Sequence, residues 1–215
     1  MRGGWAGHDP IETTDRMIPI LKEAGFEIEV SGSLEPYADA ATMEAVDLIV
    51  QCWTMGEITP EQLEGLLGAV SAGTGLVGWH GGLCDAFRNT PAYQFMTGGQ
   101  WVAHPGGKID YAVTFLKSGH SEAIVAGLDD FQLHSEQYYL HVDPSNTVLA
   151  TTTFQGTDDA PWTKGCVMPV AWKRTYGHGK IFYSALGHDV GDFDIPQVRE
   201  LILRGGQWAS RRPTA

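Results

Sequence analysis

The sequence predicts one α/β domain over residues 1–215, built in three layers. Its central sheet is mostly parallel, with antiparallel strands added in the second half. Helix-like and strand-like segments alternate up to residue 79, the rhythm of a parallel sheet covered by helices. After residue 109 five strand-like segments follow one another with no helical pattern between them. The chain has 215 residues, which suits one domain. Folding at that length buries roughly 70% of the unfolded surface, so the core needs no staples.

Residues 11–24 place Ile11, Met17, Ile18, Leu21 and Ala24 at helical spacing. Gly25 ends that helix, and residues 26–30 alternate as a strand does. Residues 45–53 contain the apolar run of a buried strand. Thr59-Pro60-Glu61-Gln62 is a helix start, with a capping threonine, proline in the first turn and an acid behind it. Leu63, Leu66, Leu67 and Val70 give this helix an apolar face. Residues 73–79 read as a short strand, followed by a helix carrying Cys84, Phe87 and Tyr93. Strands are expected at 109–116, 131–140, 147–154, 167–174 and 180–185, the last two joined by a hairpin turn at 176–179. A helix over 196–209 closes the domain, and residues 211–215 are expected to fray. No repeat, low-complexity tract or linker divides the chain.

Only four residues precede Trp5, fewer than the strand such a fold places before its first loop. The reading is that the natural chain begins upstream of Met1, with residues 3–10 as the loop after a shortened strand.

Fourteen basic residues stand against 26 acidic ones, a net charge of −12. That balance opposes nonspecific binding to nucleic acid phosphates or to an anionic membrane. No apolar run approaches the ~20 residues of a membrane span, and the amino terminus lacks the apolar stretch of a signal peptide. Three cysteines with no CxxC pattern suggest a reduced, cytoplasmic protein. The expected partner is therefore a small molecule, with neither nucleic acid nor membrane; a homo-oligomer is left open.

The sharpest chemical motif is Gly78-Trp79-His80-Gly81-Gly82. It sits between a strand and a helix and matches a nucleophile elbow with histidine at the centre. Such a turn projects its central side chain above the carboxyl edge of the sheet, where open α/β folds bind ligands. His80 is accordingly expected to be exposed on a pocket floor, with truncation costing under about 1 kcal/mol. The competing reading is a histidine that merely occupies a glycine-rich turn. His8 lies in the first βα loop, at the same edge; turn and capping chemistry around Asp9 is its structural alternative. His188 comes after the last strand, where Asp189 could orient it or simply cap the next turn. His104 lies in a turn. On one strand over 131–140, His134, Glu136 and Tyr138 would share a face, and His141 the opposite one with Tyr139. His120 and His178 sit in turns with little claim to a role. No HExxH, paired cysteines or P-loop is present, so no nucleotide cofactor is expected.

The series Gly3-Gly4-Trp5-x-Gly7-His8, Gly78-Trp79-His80-Gly81-Gly82, His104-Pro105-Gly106, Glu136-x-Tyr138-Tyr139 and Pro169-Val170-Ala171-Trp172 through Gly187-His188-Asp189 resembles the trehalose-utilisation family, ThuA. The likeness runs in order to about residue 209. It implies a flavodoxin-like fold of the class I glutamine amidotransferase type and a role in bacterial catabolism of trehalose or keto-sugars. The shortened first strand departs from the family pattern. Glutamine hydrolysis needs a thiolate at the elbow with a histidine base and an orienting acid. Here His80 holds that place and Cys84 lies four residues on, so no glutaminase activity is expected.

Two functions are compatible with these residues. In the first, a metal-assisted sugar hydrolase, lyase or isomerase gathers His8, His80, His104, Glu136 and His188 over the sheet edge. His8, His80, His104 and His188 would hold a divalent metal, zinc the best match. His80, Glu136 and His188 would carry the chemistry, and Trp5, Trp53, Trp79 and Tyr138 would stack on the sugar. In the second, a degenerate amidotransferase fold serves as a non-catalytic carbohydrate-binding or regulatory module.

Overall fold

The computed structural model describes residues 1–116 and 122–212. His120 and the tail residues 213–215 lie outside the described residues. The chain runs β1 (Arg2–Gly4), α1 (Pro10–Glu23), α2 (Ala40–Ala45), β2 (Leu48–Thr54), α3 (Pro60–Ala72) and β3 (Gly75–Trp79). Then come α4 (Gly81–Cys84), α5 (Pro91–Thr97), β4 (Gly99–Ala103), β5 (Lys108–Phe115), β6 (Phe131–Glu136) and β7 (Tyr139–Val142). β8 (Thr147–Thr153), β9 (Val167–Tyr176), β10 (Gly179–Ser184) and α6 (Pro196–Ala209) complete it.

Eight strands form one sheet in the order β1-β2-β3-β10-β9-β8-β5-β6. The first four pair in parallel and the rest antiparallel, as the two halves of the sequence predict. β4 and β7 make a separate antiparallel ribbon. Every residue of β3 is buried, as expected for a parallel strand covered on both faces. Val77 meets α6 at Gly206, while its neighbour Gly78 backs onto Leu83 of α4, so helices cover both sides. One contiguous cluster of buried side chains joins all layers.

Local signals explain the boundaries. Thr59 and Gln62 form a reciprocal capping box at α3, with Pro60 in its first turn. Gly177 turns the β9–β10 hairpin with φ of 59°.

Three expectations need correction. Residues 26–30 form no strand. β1 is a three-residue stub, and Arg2 N–H donates to the carbonyl of Ser31, just beyond that segment, at 3.0 Å. The strand expected over 131–140 breaks at Gln137 and Tyr138, where the chain leaves the large sheet for the ribbon. Gln137 anchors that break by donating to Thr152 Oγ1 at 2.7 Å. The helix expected after His80 is two pieces, α4 and α5. The segment between them is tied to the end of β2, because Met55 N–H donates to the Asp85 carbonyl at 2.8 Å and Phe87 N–H to Met55 at 3.3 Å.

Candidate functional site

The elbow is present. His80 follows β3 with φ of 47° and ψ of −137°, a conformation that costs a non-glycine residue of order 1–3 kcal/mol. Asp9, Met55 and Phe87 also have positive φ. Asp9 and Met55 lie after β1 and β2, and Phe87 is bonded to Met55, so backbone strain collects at the carboxyl edge of the parallel strands. The His80 backbone is fixed at both ends: its N–H donates to Ser184 at 2.7 Å, and the Tyr183 hydroxyl donates to its carbonyl at 3.1 Å. Gly82 is needed because a Cβ would stand 2.7 Å from the Cys52 Cα. At Gly81 a Cβ would run into the His8 ring.

Four side chains converge above this edge. One ligand atom each from His8, His80, Glu136 and His188 lies within 4.8 Å of the others. Glu136 Oε2 is 3.1 Å from His80 Nε2, 3.3 Å from His188 Nδ1 and 3.7 Å from His8 Nε2. His80 Nε2 and His188 Nδ1 are 3.3 Å apart. The distal nitrogens are held from behind. His80 Nδ1 donates to the Ala185 carbonyl at 3.0 Å, and His8 Nδ1 lies 3.1 Å from Thr54 Oγ1. Such outer contacts fix tautomer and ring orientation in metal sites.

His80 is 1% exposed, which corrects the expectation of an exposed pocket floor. The short elbow and the stacked Tyr138 ring, 3.9 Å away, enclose it. Burial pushes its imidazole down to about 4, against the opposing pull of Glu136, so it is neutral at pH 7. Its Nδ1 carries the proton, and Nε2 presents a lone pair. Burial alone would raise Glu136, but its contacts with the neighbouring histidines, His188 foremost, hold its carboxyl well below the usual carboxylate range. Burial would lower His188, yet Glu136 keeps it above its ordinary value. An ionised carboxylate and a neutral imidazole nitrogen therefore face one another at 3.1 Å as two acceptors. A proton or a cation between them relieves that conflict.

His104 is not in the four-donor group. Its Nε2 is 3.7 Å from the other oxygen of Glu136, its side chain is 38% exposed, and its Nδ1 is buried without a partner. Glu136 takes the place in the donor set that the sequence reading gave to His104. Trp5 is exposed and stands edge-on to His8 at 4.8 Å, where a ligand can reach it. Trp53 is half-buried against Gly3 and Gly56. Trp79 is fully buried against Phe193 on the opposite side of β3 from α4, and Tyr138 is buried between His80 and His8. Neither ring offers a free face to a sugar, so both are corrected from stacking platforms to packing residues. His134 is exposed and paired with Asp110; His141 lies on the ribbon opposite Gln100.

Sequence reasoning missed two residues. Asp192, not Asp189, holds the His188 loop. Its Oδ2 accepts from the backbone N–H of Gly187 and His188, at 3.2 and 2.8 Å, and from Ser135 Oγ at 2.7 Å. Asp189 caps the turn at Gly191 and pairs with Lys108. Arg88 grips the buried Asp85 with two bonds and lies over Trp101 at 4.5 Å, next to His104 and Tyr138. The only sequence signal for either was an acid or a base near a motif.

No helix among the described residues is long and apolar enough to cross a membrane. Comparison with curated proteins found no match. Among solved structures, a ThuA-like protein from Bacteroides uniformis superposes with a TM-score of 0.78 at 14% identity, covering 96% of this chain and 86% of that one. A ThuA-like protein from Parabacteroides merdae gives 0.73 at 19% identity, covering 96% and 87%. A β-galactosidase from Rahnella sp. R3 gives 0.59 at 16% identity, covering 90% of this chain but 26% of that one. At these identities the likeness is one of fold, here the flavodoxin-like arrangement. The model of a family described as ThuA, trehalose utilisation, matches residues 1–209, and the chain belongs to that family.

Proposed function

We propose that His8, His80, Glu136 and His188 form a divalent-metal centre, zinc the best match, that serves chemistry on a sugar in bacterial carbohydrate catabolism. The observation behind it is the pair of facing acceptors, His80 Nε2 and Glu136 Oε2, 3.1 Å apart. Three imidazoles and a carboxylate are a donor set suited to zinc. A bound metal would polarise a sugar carbonyl or acidify water. The chain's own residues divide the remaining work. His80 and His8 are too buried to meet substrate and act as ligands. His188, half-buried and held by Glu136 at 3.3 Å, would give up its Nδ1 proton on taking its place as a ligand. Trp5 and His104 flank the opening. The substrate class is trehalose, on the strength of the family description, or a keto-sugar, as the sequence resemblance implies. Burial pushes the Cys84 thiol well above its ordinary value, and no thiol stands at the elbow, which supports an absence of glutaminase activity. Three free cysteines fit a cytoplasmic setting.

The second reading is a non-catalytic sugar-binding module. Its support is the same fold within about a quarter of a β-galactosidase. Incubating the zinc-loaded protein with trehalose and oxidised keto-derivatives, followed by nuclear magnetic resonance, separates the two. Chelator-sensitive conversion supports the enzyme. Sugar binding without conversion, unchanged by chelation, supports the module.

A further inference from the structure

Trp162 is 78% exposed, more than any other large apolar side chain among the described residues. It lies in the loop 154–166, between β8 and β9. Sheet register fixes where that loop stands. β10 runs parallel to β3, with Ser184 beside Trp79, and β9 runs against β10, with Ala171 beside Ser184. β8 runs against β9, with Thr153 beside Val167. The loop therefore leaves the sheet at the same edge as His80 and His188. It leans on the turn that carries His104: a Cβ on Gly106 would meet Thr157 Cγ2 at 2.9 Å, and the Gly106 N–H points to Asp159 Oδ2 at 3.5 Å. His104 Nε2 in turn stands 3.7 Å from Glu136. The loop is also braced. Phe154 N–H donates to the Cys166 carbonyl at 2.9 Å, and Gly165 N–H to the Phe154 carbonyl at 2.8 Å. The hydroxyl of buried Thr163 donates to the carbonyl of buried Ala160 at 2.8 Å. Trp162 sits between those two anchors and leaves its apolar ring in water.

We propose that Trp162 is a stacking platform for the outer ring of a sugar of more than one unit, whose inner ring sits at the metal centre. The proposal rests on the reading of that centre as a sugar site and adds the size of the substrate. A pyranose has an apolar C–H face and a rim of hydroxyls. The indole matches the face, and Gln155, Asp158 and Asp159, exposed on the same loop, match the rim. The two acids disfavour a phosphate or a carboxylate. A protein partner would ask for a contiguous apolar patch, whereas the loop's other exposed side chains are mostly polar. β8 is three places from β3 in the sheet, ~14 Å at ~4.8 Å per strand, a span that one ring at the metal leaves open.

The test compares the zinc-loaded parent, Trp162→Ala and Trp162→Phe by calorimetric titration with trehalose and with glucose. Trp162→Ala should keep the parent's melting temperature and zinc content, as befits an exposed side chain. It should bind trehalose about 3- to 10-fold more weakly, the scale of a lost aromatic contact. Trp162→Phe should recover most of that loss, and glucose affinity should be alike in all three. Trehalose bound as tightly by Trp162→Ala as by the parent overturns the platform and leaves the sugar site at the metal standing. A parent that binds neither sugar overturns both. A parent that binds glucose but not trehalose contradicts a substrate of more than one unit, and equal weakening toward glucose overturns the outer-ring placement. A change confined to the sedimenting mass assigns Trp162 to a protein contact and overturns the proposal.

Discussion

His80 Nε2 stands 3.1 Å from Glu136 Oε2 while the other ring nitrogen already donates to the Ala185 carbonyl. The elbow holds the imidazole in a strained backbone and a buried setting, and the carboxylate arrives from the end of β6, on the far edge of the sheet. Residues 56 positions apart are thus brought together as paired acceptors, an arrangement that costs stability unless something positive sits between them.

His80→Ala should destabilise the fold by about 2–4 kcal/mol. It empties a buried site against Tyr138 and leaves the Ala185 carbonyl without its donor. His80→Asn keeps a donor near the Nδ1 position and should cost less, while still removing the Nε2 ligand. Thermal melts of both variants check this; equal stability of His80→Ala and the parent would contradict the buried placement.

Gly81→Ala should weaken metal binding more than folding, because its Cβ displaces the His8 ring. Gly68→Ala in α3 meets nothing within 4 Å and should be neutral or stabilising by up to about 1 kcal/mol. Calorimetric zinc titration and melts of the two proteins provide the comparison. Full zinc affinity in Gly81→Ala would show that His8 is not a ligand.

The chelated protein should lose stability in mild acid. Below 6.5 the unfolded chain protonates at His80, while the folded protein resists until about 4. The unfolded state then binds more protons, so stability falls as pH drops through this window, by on the order of 3 kcal/mol in all. His188 has the opposite sign: its raised value gives stability that is present in acid and lost as pH rises through the folded pKa. Urea denaturation at pH 7 and pH 5 measures the sum above the carboxylate range, where His80 should dominate. A flat profile, or one unchanged in His80→Asn, would count against the assignment.

Asp192→Ala should orphan Ser135 and the N–H groups of Gly187 and His188, loosening the His188 loop. Zinc affinity should drop roughly 10–100-fold, the usual effect of losing an outer partner, with Asp192→Asn milder because one acceptor oxygen remains. Parental affinity in Asp192→Ala would mean that His188 is positioned by other contacts.

Much of the scaffold was legible because its signals are local. Thr59, Pro60 and Gln62 mark the start of α3 within four residues, and the glycines around His80 announce an elbow. Residues 26–30 alternate like a strand but lack a partner of sufficient length, and pairing cannot be read from one segment. Glu136 and Tyr138 were placed on one strand face, yet the chain changes sheets between them because Gln137 bonds to Thr152, fifteen residues on. The burial of His80 is not legible in the sequence because Tyr138 covers it from a distant part of the chain. Asp192 is not legible in the sequence because two of its partners are backbone N–H groups, which leave no trace in composition, and the third, Ser135, is 57 residues away.

Metal content tests the central claim most directly. The protein purified without chelator, alongside Glu136→Gln and His188→Ala, is dialysed against metal-replete buffer and then metal-free buffer, and its ions are counted by mass spectrometry. The account predicts about one divalent ion per chain, zinc foremost, retained by the parent and lost from both variants. A folded parent that retains no zinc, manganese or iron, or variants that retain as much as the parent, would contradict it.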